Sequence, residues 1–125
     1  MTGGEDMRAK DVLGRLGEDA AVRHLMGLGW TIIERNWRCP EGELDIVAHD
    51  GSGLVVCEVK TRSRAAYGTP LEAITPAKAG RLRRLATRWL ASHGISQAAD
   101  VRIDVIGLVR AGPGRFDVDH LKAVC

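Results

Sequence analysis

Two strand-like runs, Glu43 to His49 and Leu54 to Thr61, flank the segment Asp50-Gly51-Ser52-Gly53, and this pairing restricts the possible folds more than any other feature of the chain. The two glycines suit the positive φ angles of a tight hairpin connection. The second run begins Leu54-Val55-Val56-Cys57, apolar at consecutive positions, so it is expected at the centre of a sheet covered on both faces. Glu58 and Lys60 then interrupt that run at its end, where an unpaired charge is expensive.

If His49 pairs with Leu54, antiparallel partners have numbers summing to 103, which sets Asp45 opposite Glu58 and Glu43 opposite Lys60. A slip of one residue would send Asp45 and Glu58 to opposite faces. Opposed carboxylates repel, and a divalent cation relieves that repulsion, because Mg²⁺ accepts one or two carboxylates and keeps its other positions for water and phosphate oxygens. Lys60, on the face of Glu58, would then lie near the phosphate. The competing reading is a plain charge ladder in which Lys60 pairs with Glu58 and Glu43 while Asp45 faces solvent.

The flanking segments complete an α/β pattern. From Asp6 to Leu28, Leu13, Leu16, Ala20, His24 and Leu28 recur at helical spacing, with Gly17 allowing a close approach. Trp30 to Trp37 is rich in β-branched and aromatic residues, as a strand is, and Cys39-Pro40-Glu41-Gly42 reads as a turn. Arg62 to Ile74, with Tyr67-Gly68-Thr69-Pro70, reads as a long loop. Thr75 and Pro76 open a second helix whose stripe of Leu82, Leu85, Ala86, Trp89 and Leu90 ends before Gly94. Val101 to Val109 and Phe116 to Val124 read as two last strands, joined at Ala111-Gly112-Pro113-Gly114. The expectation is one domain over residues 1–125, with residues 1–10 a loose N-terminal stretch and a mixed sheet of about five strands flanked by two helices.

Composition narrows the function classes. The formal net charge is only +2, but no Asp or Glu occurs from Ala73 to Ala99, where Lys78, Arg81, Arg83, Arg84 and Arg88 all fall. Lys78, Arg81, Arg84 and Arg88 share one helical face, which is either a solvated surface or a surface for a polyanion. Cys39, Cys57 and Cys125 are odd in number and form no C-x-x-C pair, so reduced thiols are expected rather than disulfides or a thiolate zinc site. The N-terminal stretch with Glu5, Asp6, Lys10 and Asp11 has no apolar run, which predicts neither signal peptide nor membrane anchor and a cytoplasmic location. His24, His49, His93 and His120 lack ligand spacing, and no P-loop or dinucleotide fingerprint implies a nucleotide cofactor. Trp30, Trp37 and Trp89 read as core.

Asp45, thirteen residues before Glu58-Val59-Lys60, resembles the D…(E/D)-x-K signature of the PD-(D/E)-x-K nuclease superfamily, with Leu44 where the leading proline would stand. Gly17-Glu18-Asp19-Ala20-Ala21, Gly42-Glu43-Leu44-Asp45-Ile46-Val47 and Val56-Cys57-Glu58-Val59-Lys60-Thr61-Arg62 together resemble the YraN-type (UPF0102) family of small bacterial, endonuclease-like proteins. That resemblance covers nearly the whole chain from Gly14. It implies a restriction-endonuclease-like core and Mg²⁺- or Mn²⁺-dependent phosphodiester hydrolysis. The small archaeal Holliday-junction resolvases of the superfamily also use a glutamate from the first helix, and Glu18 matches it, lying beside Val22 and Leu25 at the edge of the apolar stripe. The resemblance therefore assigns Glu18, Asp45 and Glu58 to metal and Lys60 to catalysis. Arg62, Lys78, Arg81, Arg84 and Arg88 are the expected nucleic-acid contacts; Glu72 and Arg64 are weaker candidates. DNA, structured or branched, is the substrate suggested by analogy, and a homodimer would serve symmetric nicking. The alternative is an accessory factor in repair, recombination or DNA uptake that binds nucleic acid without cutting it, or cuts only with a partner.

Overall fold

The computed structural model describes residues 9–63, 74–95 and 101–125. Its elements run α1 (Ala9–Gly27), β1 (Thr31–Cys39), β2 (Gly42–His49), β3 (Leu54–Arg62), α2 (Pro76–Ser92), β4 (Arg102–Gly112) and β5 (Arg115–Leu121). The expected order of helix, three strands, helix and two strands is the order observed. The strands form one sheet in the order β1-β2-β3-β4-β5, antiparallel except for β3 with β4. The apolar strand β3 is therefore central, and α2 is the crossover that parallel neighbours require. Most of the loop from Arg62 to Ile74, with Glu72 and Arg64, lies outside the described residues.

The β2–β3 register follows from the turn. The Asp50 carboxylate accepts hydrogen bonds from the Ser52 and Gly53 N–H groups at 2.8 and 2.9 Å, and Gly51 holds φ at +98°. His49 then pairs with Leu54, Ala48 with Val55, Val47 with Val56 and Ile46 with Cys57, which is the register summing to 103. The paired ladder stops there. Glu43 does not meet Lys60; it pairs across β1 with Arg38, their charged atoms 3.8 Å apart.

Each face of the sheet has its own core. Leu44, Val47, Val56 and Ile103 pack against Leu82, Leu85, Ala86, Trp89 and Leu90 of α2. Ile46, Ala48, Val55, Cys57, Ile106 and Leu108 pack against Ala20, Ala21 and Leu25 of α1. The α1 stripe differs from the expected one, since Leu16 and Leu28 are exposed and Ala21 and Leu25 are buried beside the expected Ala20. The reason is proximity: a Cβ on Gly17 would collide with the Thr61 side chain, lying only 2.8 Å from its Cβ. At Gly17 helix and sheet thus meet with no large side chain between them. Trp89 is core as expected, whereas Trp30 and Trp37 are only partly buried against the two clusters.

Gly17→Ala should therefore destabilise despite the better helix propensity of alanine. Overpacking costs about 1–3 kcal/mol and propensity returns at most about 1 kcal/mol. Urea melts of Gly17→Ala in wild-type and Thr61→Gly backgrounds check this. The cost should shrink in the second background, and an undiminished cost would place the clash elsewhere.

Asp104, inside the apolar run of β4, is fully buried yet satisfied. Arg102 reaches both its oxygens at 2.8 and 3.0 Å, His120 Nε2 lies at 2.8 Å and the Ala123 N–H donates at 3.0 Å. Burial alone would raise its pKa, but these hydrogen bonds and the Arg102 charge prevail and hold it below the usual carboxylate value. This network ties the C-terminal segment to the centre of the sheet.

Candidate metal and nucleic-acid site

Asp45 sits where the alternation of β2 breaks. Leu44 belongs to the α2-side core and Ile46, two residues on, to the α1-side core, so the strand turns over at Asp45. Opposite it, Asn36 adopts φ +55°, a left-handed conformation that asparagine tolerates better than most residues, and the Asn36–Asp45 pair is missing from the ladder. The Asp45 carboxylate is thereby aimed along the sheet, and its Oδ2 accepts from the Val59 N–H at 2.8 Å.

Glu58 follows Val56 onto the α2 face of β3, where Lys78 Nζ stands 2.9 Å from its Oε2. Asp45 and Glu58 are neighbours at the end of the ladder, as the register requires, but they are not a simple same-face pair. Asp45 is the crossover residue and Glu58 points to α2. Their proximity registers electrostatically. Burial first, then the Glu58 charge, push the Asp45 pKa up to about 7, with smaller contributions from Glu43 and Glu18, against the lowering effect of the Val59 hydrogen bond.

An open cleft of about 830 Å³ lies beside Asp45 and is lined by Glu18, Asn36, Arg38, Glu43 and Lys60 among others. Glu18 reaches it from α1, as expected, held by Arg35 at 2.8 Å and by the Asn36 amide at 2.9 Å. Arg35 and Asn36 thus set the position of Glu18. Lys60 borders the cleft, and its pKa is lowered, chiefly by burial and then by Lys78 alongside it. For Lys78, burial acts downward, but the hydrogen bond and charge of Glu58 override it and raise the pKa.

Two expected roles change. Lys78 is not on the outer basic face of α2; it turns inward to Glu58, and it is Lys78 rather than Lys60 that forms the ion pair. Arg81, Arg84 and Arg88 are all exposed, but Arg88 is engaged by Glu41 at 3.1 Å, whereas Arg81 and Arg84 form no ion pair with an acidic side chain among the described residues. Arg62 ends β3, half-buried. Among the described residues no three His, Cys, Asp or Glu side chains are grouped to hold a metal ion, so Glu18, Asp45 and Glu58 are not a preassembled triad. The reason lies in their partners: Glu18 is tied to Arg35 and Glu58 to Lys78. Asp45 and Glu58 remain the carboxylates that could share a cation, with Glu18 across the cleft.

Residues 17–108 match the model of the family described as "Uncharacterised protein family UPF0102", a span that includes Glu18, Asp45, Glu58, Lys60 and Lys78. The chain belongs to the UPF0102 family. It is 51% identical over 124 residues to a UPF0102 protein of Nocardioides sp., covering 99% of both chains. A UPF0102 protein of Beutenbergia cavernae is 55% identical over 118 residues, covering 94% of this chain and 99% of that one. One of Streptomyces coelicolor is 52% identical over 123 residues, 98% of this chain and 95% of that one. The family resemblance read from the sequence is thus borne out. Cys39, Cys57 and Cys125 are free, and burial raises the Cys57 thiol pKa far above its ordinary value, which keeps it inert. Among the described residues no helix is long and apolar enough to cross a membrane.

Proposed function

We propose that this UPF0102 protein is a divalent-metal-dependent endonuclease that hydrolyses phosphodiester bonds in nucleic acid, with structured or branched DNA as the preferred substrate. The observation that carries this reading is the half-buried Asp45 carboxyl, held near neutrality by burial and by Glu58, in a cleft that Lys60 also borders. A divalent cation would offset the cost of charging this carboxyl, and Asp45 with Glu58 matches the one or two carboxylates that Mg²⁺ or Mn²⁺ takes. Glu18 stands across the cleft as a third ligand, available once Arg35 yields it.

When bound, the ion supplies Lewis-acid polarisation of a phosphoryl oxygen and acidifies a water molecule. The remaining work belongs to the side chains. Asp45 and Glu58 would hold the ion and through it fix where the phosphate lies relative to β3. Lys60 presents its ammonium to the charge that builds up on the phosphoryl oxygens as the water oxygen bonds to phosphorus and the bond from phosphorus to the leaving sugar oxygen breaks. Arg81 and Arg84 hold the backbone without reading bases. A screen of linear, nicked, flapped and four-way DNA and of RNA, each with Mn²⁺, tests the activity and orders the substrates. Symmetric nicking of a junction would call for a homodimer, and the free thiols suit a cytoplasmic site of action.

A second reading is favoured by the Glu58–Lys78 ion pair, in which the site already contains its own cation. On it, the protein is a nucleic-acid-binding accessory factor in repair, recombination or uptake, without catalysis or dependent on a partner. Binding in every substrate class with no cleavage in Mn²⁺ selects it.

Both readings assign phosphate contacts to α2. Replacing Arg81 and Arg84 together by Gln should weaken DNA binding alike on all sequences and flatten its log–log salt dependence by about 0.9 per lost contact. Adding Arg88→Gln should change less, because Glu41 already neutralises that guanidinium. Fluorescence anisotropy across a salt series checks both statements; an unchanged slope would remove α2 from the interface.

A further inference from the structure

Lys78 connects two parts of the molecule that otherwise act separately. It stands in the first turn of α2, where its N–H donates to the N-cap oxygen of Thr75 at 3.1 Å, so its backbone is fixed by the cap. Its ammonium is 2.9 Å from Glu58, with 20% and 11% of the two side chains exposed. The same helix carries Arg81 and Arg84 outward, three and six residues further on. The cation that neutralises Glu58 is thus delivered by the helix proposed to hold phosphate.

We infer that the Glu58–Lys78 pair is an exchangeable counter-ion lock, opened when a divalent cation takes the Glu58 carboxylate and a backbone phosphate takes the Lys78 ammonium. This rests on the reading of Glu58 as a cation ligand. Breaking a largely buried ion pair by removing one partner is costly, because the other charge is left uncompensated. Either ligand arriving alone strands one member of the pair, whereas both together leave each charge with a partner. Metal and nucleic acid therefore favour each other's binding, and by linkage the factor is the same in both directions. Lys78 is a positioning residue here: it holds Glu58 ready and withholds the site from metal until a polyanion lies on α2.

Calorimetric titration of Mn²⁺ at pH 7.5 into wild type, Lys78→Gln, Lys78→Arg and Arg81→Gln, with and without a short DNA duplex, tests the lock. Lys78→Gln should bind Mn²⁺ about tenfold or more tighter than wild type in the absence of DNA. Arg81→Gln removes the same charge one turn away and should change affinity by about threefold or less, while Lys78→Arg should stay near wild type. The duplex should tighten Mn²⁺ binding to wild type by about fivefold or more, within the usual range of coupling between sites, and by a clearly smaller factor in Lys78→Gln, where only the direct contact between phosphate and ion remains. Thermal melts establish that each variant is folded. Lys78→Gln binding no tighter than Arg81→Gln, or retaining the full wild-type duplex effect, would overturn the lock while leaving the cation site standing. Failure of Lys78→Gln to bind Mn²⁺ at all would overturn both.

Discussion

Asp45→Asn should stabilise the metal-free protein, and increasingly so as pH rises. The native pKa of about 7 lies above the ordinary carboxylate value, because burial and then the Glu58 charge disfavour ionisation. Between those two values the native state keeps a proton that the unfolded chain has released. The contribution of this group is therefore fully favourable only below about pH 4 and is lost as pH climbs to about 7. Asparagine keeps an acceptor for the Val59 N–H without carrying the charge. The stability advantage of the variant should grow by on the order of 2–3 kcal/mol between pH 5 and pH 8. Saturating Mn²⁺ should reverse the order, raising the melting temperature of wild type far more than that of Asp45→Asn, since a ligand of the native state stabilises by mass action. Urea melts of both proteins across this pH range, without metal and with Mn²⁺, check the prediction. Parallel metal-free curves would mean that Asp45 ionises normally, and equal Mn²⁺ effects would place the metal elsewhere.

The position of this acid shows how much of the molecule was legible in the sequence. The hairpin register was, because the Asp50 turn is local chemistry: a carboxylate, two glycines and a serine dictate their own conformation, and the register follows down the ladder. The central place of β3 was legible too, because consecutive apolar residues have no face to give to water. The overturning of β2 at Asp45 was not, since it depends on the left-handed Asn36 of another strand and on a pairing that no local pattern encodes. The α1 face was legible in part: Ala20 and the close approach at Gly17 were read correctly, but the buried face runs through Ala21 and Leu25 rather than Leu16 and Leu28, because hydrophobic periodicity gives a small residue such as Ala21 little weight. Helical spacing grouped Lys78 with Arg81 and Arg84 correctly as a matter of angle. It could not tell that the first turn of α2 ends beside Glu58, which depends on how the crossover returns to the sheet. Arg35, which holds Glu18, gave no signal because its role depends on a contact seventeen residues away in sequence.

Lys60→Ala should separate binding from cutting. The side chain adds one charge beside the carboxylates and none to the α2 face, so nucleic-acid affinity should stay within a few fold of wild type. Cleavage should fall by roughly 10²–10³, the usual effect of losing one donor to charge that develops in the transition state. Burial and Lys78 hold the Lys60 pKa below its ordinary value, so replacing it also removes an ammonium that is costly to bury, and the fold should tolerate the change. Single-turnover assays beside anisotropy titrations resolve the two quantities. Equal losses in binding and cleavage would make Lys60 a general phosphate contact instead.

Glu58 is the residue on which the proposed cation site, the Lys78 ion pair and the Glu58-Val59-Lys60 sequence pattern all converge. Cleavage of the DNA and RNA substrate panel by wild type and by Glu58→Gln, with Mn²⁺ and with chelator, tests the proposed activity most directly. The expected result is cleavage of at least one substrate by wild type that requires Mn²⁺ and is lost in Glu58→Gln while binding persists; absence of cleavage on every substrate, or cleavage that Glu58→Gln leaves intact, would contradict it.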